Sequence, residues 1–322
     1  MVSGRKMRTV IDIIHRDWVE RPCPVCKSSR PDSRKLEMRS KIPAENHSFN
    51  EVMSNFVGLR QDQIFFSYFR CLKCKVLYCP WYFSNDQLEI LHNEMPDNLM
   101  GENVDVSSRT QESYALSVAR FCKESPTLKN YLELGPDIGL VGKKLGESLT
   151  FRTALFVEPN QNVHATLVEN SKKFENINVV SFLSEAPRDY EFDIAIAVHV
   201  FDHLLFPADT LQKLSTMGSE DRVLGIVVHN ERSFVAKILG KKWPPYCLQH
   251  PQLYNSETLS LLLSNSQWSM KHLERTKNHY SLRNFTKNLL AVFGLPQSFA
   301  KNIPKWEFSI PIGNILVIAQ KT

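Results

Sequence analysis

What this sequence lacks narrows it first. No apolar run approaches the roughly 20 residues needed to span a bilayer. The opening stretch, Met1 to Asp17, alternates charged and apolar side chains and has no signal-peptide core. The expectation is a cytoplasmic protein without a membrane span. Strong charge of either sign is missing too: 39 Lys and Arg face 34 Asp and Glu, a net charge of +5. Much of the excess lies near the N-terminus, at Arg5, Lys6, Arg8, Arg16, Arg21, Lys27, Arg30, Arg34 and Lys35. A balance this mild argues against nucleic acid as the main partner. An even cysteine count is also absent. Seven cysteines cannot all pair, and four of them form the pairs Cys23/Cys26 and Cys71/Cys74, which points to metal rather than disulfides.

What is present is an ordinary globular composition, with 43% apolar and 23% charged residues over 322 positions. That length allows about two domains. The chain is organised around Asn130-Tyr-Leu-Glu-Leu-Gly-Pro-Asp-Ile-Gly-Leu-Val-Gly142. Tyr131 to Leu134 reads as a buried strand, Gly135-Pro136 as a turn, and Ile138 onward as a helix. Strand, glycine turn and helix expose backbone N–H groups to a ligand. Gly135 and Gly139 let it approach the main chain closely. A second apolar run, Thr153 to Val157, ends in Glu158, roughly 20 positions on, where a carboxylate meets ribose hydroxyls. Together these two stretches describe a nucleoside site.

Upstream, residues 8–20 read as an amphipathic helix, and residues 64–70 as an aromatic strand leading into Cys71-Leu-Lys-Cys74, with Val76 to Tyr78 returning. Two CxxC knuckles, the second on a hairpin, form the pattern of a zinc ribbon. Cys23, Cys26, Cys71 and Cys74 are its four thiolate ligands, and a closed site of this kind is structural. His47 and Cys79 are spare potential ligands. Ser84-Asn-Asp-Gln caps a helix through Leu88 and Leu91. Met95 to Ser108 reads as a linker or lid, and Arg109 to Lys123 as a helix. The expected domains are 1–94 (helix and ribbon), 95–125 (linker and helix) and 126–322.

After Glu158 the units repeat. Strands are expected at 177–183, 192–198, 222–229, 269–275 and 314–320, with helices at 161–170, 207–214, 234–239 and 256–263. The alternation gives an α/β, Rossmann-like fold: seven strands, mostly parallel, helices on both faces, and the ligand crevice at the carboxyl ends of the strands.

From Tyr131 onward these residues resemble a class I S-adenosylmethionine-dependent methyltransferase. Leu132-Glu-Leu-Gly-Pro-Asp-Ile-Gly139 is similar to the family's first motif, and Phe156-Val-Glu-Pro159 to its second strand. Asp193 to His203 resembles the fourth-strand segment, and Ile312 to Lys321 the closing antiparallel strand. The CPxC and CxxC knuckles, with Trp243 to Leu259, resemble the zinc-ribbon subgroup that includes sugar and natural-product methyltransferases. The resemblance implies S-adenosylmethionine as cofactor and Zn2+ in the ribbon. It implies that Gly135, Pro136 and Gly139 line the methionine portion. Glu133 then lies near its amino end, Glu158 on the ribose with Asn160 assisting, and Ser184 near the adenine. His199 lies under the methyl. Asp137 stands where the family has a glycine; it caps the following helix or bonds the cofactor's ammonium.

Methyl transfer needs water excluded, the nucleophile in line and, for some acceptors, a base. His203, His250 and Tyr254 are the candidate bases, beside Asp202 and His229. Trp243-Pro-Pro-Tyr246 reads as a wall of the acceptor pocket or a rigid turn. Tyr280 to Pro304 is an amphipathic insertion that covers the site or forms a homodimer. The favoured acceptor is a small molecule, a sugar, nucleotide sugar or glycan precursor. Two other readings are an RNA methyltransferase gripping its substrate through the ribbon and a non-catalytic interaction protein on the same fold.

Overall fold

The computed structural model describes residues 14–56, 64–93, 104–122, 128–218 and 221–322. The strands of the N-terminal part are β1 (Val19–Glu20), β2 (Arg34–Met38), β3 (Ile42–Pro43), β4 (Ile64–Phe65), β5 (Tyr68–Cys71), β6 (Leu77–Tyr78) and β7 (Trp81–Tyr82). Then come β8 (Asn130–Leu134), β9 (Thr153–Val157), β10 (Asn176–Val180), β11 (Ile194–Val198), β12 (Val223–His229), β13 (Gln252–Leu253), β14 (Trp268–Arg275), β15 (Asn278–Ser281), β16 (Glu307–Ile310) and β17 (Asn314–Lys321). The α-helices are α1 (Phe49–Val52), α2 (Asn85–Asn93), α3 (Val104–Cys122), α4 (Leu140–Ser148), α5 (His164–Asn170), α6 (Pro207–Thr216), α7 (Phe234–Leu239), α8 (Ser256–Ser264) and α9 (Leu282–Val292).

Seven strands form the main sheet in the order β10-β9-β8-β11-β12-β17-β14. β8 to β12 run parallel, and β17 is antiparallel to both neighbours. The expected seven-stranded, mostly parallel α/β sheet is therefore present. Its strands are apolar throughout because both faces are covered, and alternate residues enter different cores. Leu132, Leu134, Leu155, Val157, Ala195 and Ala197 join one cluster. Tyr131, Ala154, Phe156, Ile194 and Ile196 join the other. The order reverses between β8 and β11, so a crevice opens at their carboxyl ends.

Several local expectations give way. Residues 14–20 form a turn and β1 rather than a helix, since β1 pairs with β7; residues 8–13 lie outside the described chain. The aromatic strand is broken at Phe66-Ser67, where the Ser67 N–H donates to the buried Glu45 carboxylate. Of the expected linker, residues 95–103 lie outside the described chain, and Val104 to Ser108 already belongs to α3. The strand expected to reach Leu183 ends at Val180. The helix expected from Ile138 begins at Leu140 with Gly139 as its N-cap, so Asp137 does not cap it. Ser84 does cap α2: its hydroxyl accepts from Gln87 N–H while the Gln87 side chain accepts from Ser84 N–H.

The sheet that carries the second knuckle runs β13-β6-β5-β2, so one of its strands comes from the C-terminal half of the chain. An aromatic cluster seals this junction, with Trp18, Phe66, Tyr82 and Phe83 packed edge-on or tilted beside Trp243 and Leu248. At its centre the buried Arg21 donates to Leu205 O and Gln252 Oε1, and Gln252 donates to Phe201 O and Leu204 O. Truncating Gln252 leaves one buried guanidinium N–H and two carbonyls unpaired. We predict that Gln252→Ala lowers unfolding free energy by ~2–4 kcal/mol, read as a reduced urea midpoint at unchanged slope.

Candidate functional site

β8 ends at Leu134, and the chain turns through Gly135, Pro136, Asp137 and Ile138 to Gly139. Gly135, Asp137 and Gly139 have φ of +60°, +52° and +78°. A Cβ at Gly135 would stand 2.7 Å from Val200 Cγ2, and one at Gly139 2.6 Å from Leu167 Cδ1. Asp137 is the L-residue forced into the same left-handed region. Its backbone N–H donates to Glu158 Oε2 at 2.9 Å, and the Asn160 N–H donates to Oε1 at 2.9 Å. One carboxylate thus ties the turn after β8 to the turn after β9. Each carboxylate oxygen has the capacity to accept more than one hydrogen bond.

Glu133 is buried beneath this turn. It accepts from the Tyr131 hydroxyl at 2.8 Å. Burial pushes its carboxyl up to about 7, with a smaller push from Glu158, against the hydrogen bonds from Tyr131 and the Gly142 backbone.

A cavity of ≈ 510 Å³ lies over these strand ends. Glu133, Gly135, Pro136, Asp137, Glu158 and Asn160 line one side, and Val198 to Val200 with His203 the other. Of the residues the sequence nominates, Gly139 and Ser184 do not line it. Gly139 is turned toward Leu167, and the exposed Ser184 gives place to Ser181, Phe182 and Leu183. His250 and Tyr254 do not line it either: they are 2% and 0% exposed. His250 Nδ1 meets Pro245 O at 2.7 Å, and burial holds the Tyr254 hydroxyl well above its ordinary range. Trp243 is buried in the junction rather than walling the cavity. Sequence reasoning missed Gln111, whose buried Oε1 has no hydrogen-bond partner, and Gln249. The available signal was a glutamine three and four residues before Tyr114 and Ala115, on the buried face of α3.

Beyond the cavity wall, Asp202 is fully buried. Its Oδ2 accepts from the His229 backbone N–H at 3.0 Å and from His229 Nδ1 at 2.8 Å. Burial works against this carboxylate, but His229 and His199 outweigh it and hold its pKa well below the usual range. Burial, helped by His199, lowers His229. The rings of His199 and His229 lie 4.3 Å apart, those of His229 and His250 4.9 Å, and those of His203 and His250 4.7 Å.

The four nominated cysteines converge. Cys23 and Cys74 sulfurs are 3.4 Å apart and those of Cys26 and Cys71 3.6 Å, with all four within 4.8 Å. Zn–S bonds of about 2.3 Å in a tetrahedron place sulfurs about 3.8 Å apart, so the donor set fits. The two knuckles are built alike. Lys27 and Lys75 follow them at φ of +58° and +64° and donate backbone N–H groups to Cys23 O and Cys71 O. The hydrogen bond that Cys23 and Cys74 share lowers the Cys74 thiol and raises that of Cys23, so the two sulfurs hold one proton between them. His47 and Cys79 are not in the cluster.

Residues 106–273, more than half of the chain, match the model of a family described as a methyltransferase domain. No curated protein matches. Among solved structures, magnesium protoporphyrin IX methyltransferase of Synechocystis PCC 6803, with bound SAH, aligns at 11% identity over 74% of this chain and 88% of its own, with a TM-score of 0.45. The N-methyltransferase NodS of Bradyrhizobium japonicum WM9, in complex with S-adenosyl-l-homocysteine, aligns at 11% identity over 73% and 97%, with a TM-score of 0.44. An S-adenosylmethionine-dependent methyltransferase of Clostridium acetobutylicum ATCC 824 aligns at 10% over 68% and 94%, with a TM-score of 0.46.

The raised Glu133 pKa makes stability fall with pH. The unfolded chain releases this proton near 4.5 and the folded protein near 7. Between those values the unfolded state binds fewer protons, so stability declines and levels off above about 7. We predict that Glu133→Gln abolishes a decline of roughly 3 kcal/mol between pH 4.5 and pH 8, measured by urea unfolding across that range.

Proposed function

The chain belongs to the methyltransferase-domain family, as a class I S-adenosylmethionine-dependent enzyme, and from that premise we propose methyl transfer to a small, neutral, hydroxyl-bearing acceptor, a sugar or glycan precursor. One observation carries this reading: a single cavity gathers Glu133, Gly135 and Glu158 from two neighbouring strand ends and His199 and His203 from the strand across the switch point.

In this reading the Glu158 carboxylate accepts from the ribose hydroxyls, and Asn160 stands beside it. Ionised Glu133 and the carboxamide of Gln111 face the cationic amino end of the cofactor, while Gly135 and Pro136 border its methionine chain. The Ser181–Leu183 segment takes the adenine in place of Ser184. His203, at the far rim, accepts a proton from the acceptor. When bound, the cofactor supplies an electrophilic methyl group; the cavity walls hold the acceptor in line and keep water out. No lysine or arginine is among the described residues that line the cavity. That favours a neutral acceptor over a nucleotide sugar or RNA, whose phosphates need cationic partners.

Calorimetry of the zinc-loaded chain with S-adenosylmethionine tests the cofactor site. We expect micromolar affinity, weakened at least ~tenfold in Glu158→Ala, a loss of about 1.4 kcal/mol or more. Silence at millimolar cofactor would sink the reading. In a subsequent acceptor screen, His203→Ala should lower kcat by ~100-fold with the cofactor Kd unchanged.

The cysteine cluster we assign to one structural Zn2+ held by Cys23, Cys26, Cys71 and Cys74, closed to chemistry because all four positions are protein sulfur. Metal analysis should find one zinc per chain. Stripping it with a strong chelator should lower the melting temperature by ~10 °C or more; an unchanged melt would remove the assignment.

A further inference from the structure

Beside the cavity lies a second cluster of metal-binding groups, chemically unlike the cysteines. β11 and β12 are parallel neighbours, with Val198 opposite Val227. Their carboxyl ends carry His199 and His229, and the turn after β11 brings Asp202 between them. One ligand atom from each lies within 4.8 Å of the others. Asp202 Oδ2 is 2.8 Å from His229 Nδ1 and 3.7 Å from His199 Nδ1. Metal–ligand bonds of about 2.1 Å set ligand atoms roughly 3.0–3.4 Å apart, so small side-chain movements suffice to close around an ion.

Two polar atoms in the cluster are orphaned. His199 Nδ1 and Asp202 Oδ1 are buried without a hydrogen-bond partner, and Asp202 is 0% exposed. A simple Asp202–His229 pair that orients one imidazole has no use for either atom. On the far side of the His199 ring, the Asn314 carboxamide lies 3.3 Å from Nε2. Its nitrogen also lies 3.3 Å from Asn278 Oδ1 and 3.4 Å from the Tyr114 hydroxyl, so a joint turn of the Asn314 and Asn278 carboxamides, whose O and N the heavy atoms do not distinguish, lets Asn314 accept the Nε2 proton and leaves Nδ1 as a bare lone pair. Such support from behind is what fixes a ligating histidine. His199 and Val200 line the cavity, so the cluster lies directly behind its wall.

We propose that His199, Asp202 and His229 hold a first-row divalent cation at the cavity wall, with the two-imidazole, one-carboxylate donor set that leaves positions open for oxygen ligands. A hydroxyl oxygen of the acceptor coordinated there would lose its proton more readily. This role rests on the methyl-transfer reading above, whereas the metal site itself does not.

The full-length chain carrying one equivalent of zinc is titrated with Mn2+ and followed by electron paramagnetic resonance. Mn2+ prefers nitrogen and oxygen donors and leaves the tetrathiolate site alone. One bound Mn2+ per chain is expected, with affinity lowered at least ~tenfold in Asp202→Asn and in His199→Gln. The second variant sits at the cavity edge, so it reports even if the buried Asp202→Asn chain melts early. No Mn2+ uptake, or uptake unchanged in both variants, overturns the proposal. S-adenosylmethionine binding is measured separately on the wild-type chain. Cofactor bound without Mn2+ overturns the metal site and leaves the methyltransferase reading standing; Mn2+ bound without cofactor does the reverse.

Discussion

The cavity depends on the double hydrogen bond that Glu158 accepts. Its carboxylate takes one backbone N–H from the turn after β8 and one from the turn after β9. The first of those belongs to Asp137, an L-residue held at φ of +52°. A left-handed L-residue persists only where its surroundings over-determine it, and here the carboxylate, with the glycines on either side, does so. The side chain to which we assign the ribose hydroxyls therefore also shapes the wall. Its removal must be read with a folding control beside every binding measurement.

A second dependence runs between the two halves. Arg21 and Gln252 are both buried; Arg21 reaches across the junction to Leu205 O and Gln252 Oε1, and Gln252 carries the link on to its own side. Gln252 reaches Phe201 O and Leu204 O, in the turn that also carries Asp202 and His203. The ribbon is thus coupled to the cavity rim by hydrogen bonds and aromatic packing, without contributing a cysteine to the cavity.

Much of this was legible in the sequence, for physical reasons. Strands covered on both faces write themselves as unbroken apolar runs, so Tyr131–Leu134 and Ile194–Val198 were readable. Paired CxxC spacing encodes convergence directly, and the four sulfurs meet. What failed was local pattern overruled by distant partners. Val10 to Trp18 has helical spacing, yet the end of that stretch leads straight into the strand that pairs with β7. Asp137 looked like a helix cap, but the helix starts at Leu140 with Gly139 at its N-cap, while the Asp137 amide is drawn to Glu158, 21 residues away. His250 and Tyr254 looked like bases because they are polar residues in a loop, and their burial comes from the N-terminal half packing over them. The Asp202–His229 contact joins two strand ends 27 residues apart, and no periodicity signals it.

The strand β13 has a consequence for how the protein is made. It completes the sheet that holds the second cysteine knuckle, pairing Gln252 with Tyr78 across most of the chain. At a synthesis rate of roughly 5–20 residues per second, the roughly 170 residues between them take on the order of 10–30 s to emerge. During that interval the knuckles are already outside the ribosome while the strand that pairs with β6 is not. The N-terminal segment cannot finish folding first, as such segments usually do. Its four-stranded sheet is complete only once Gln252 and Leu253 have emerged.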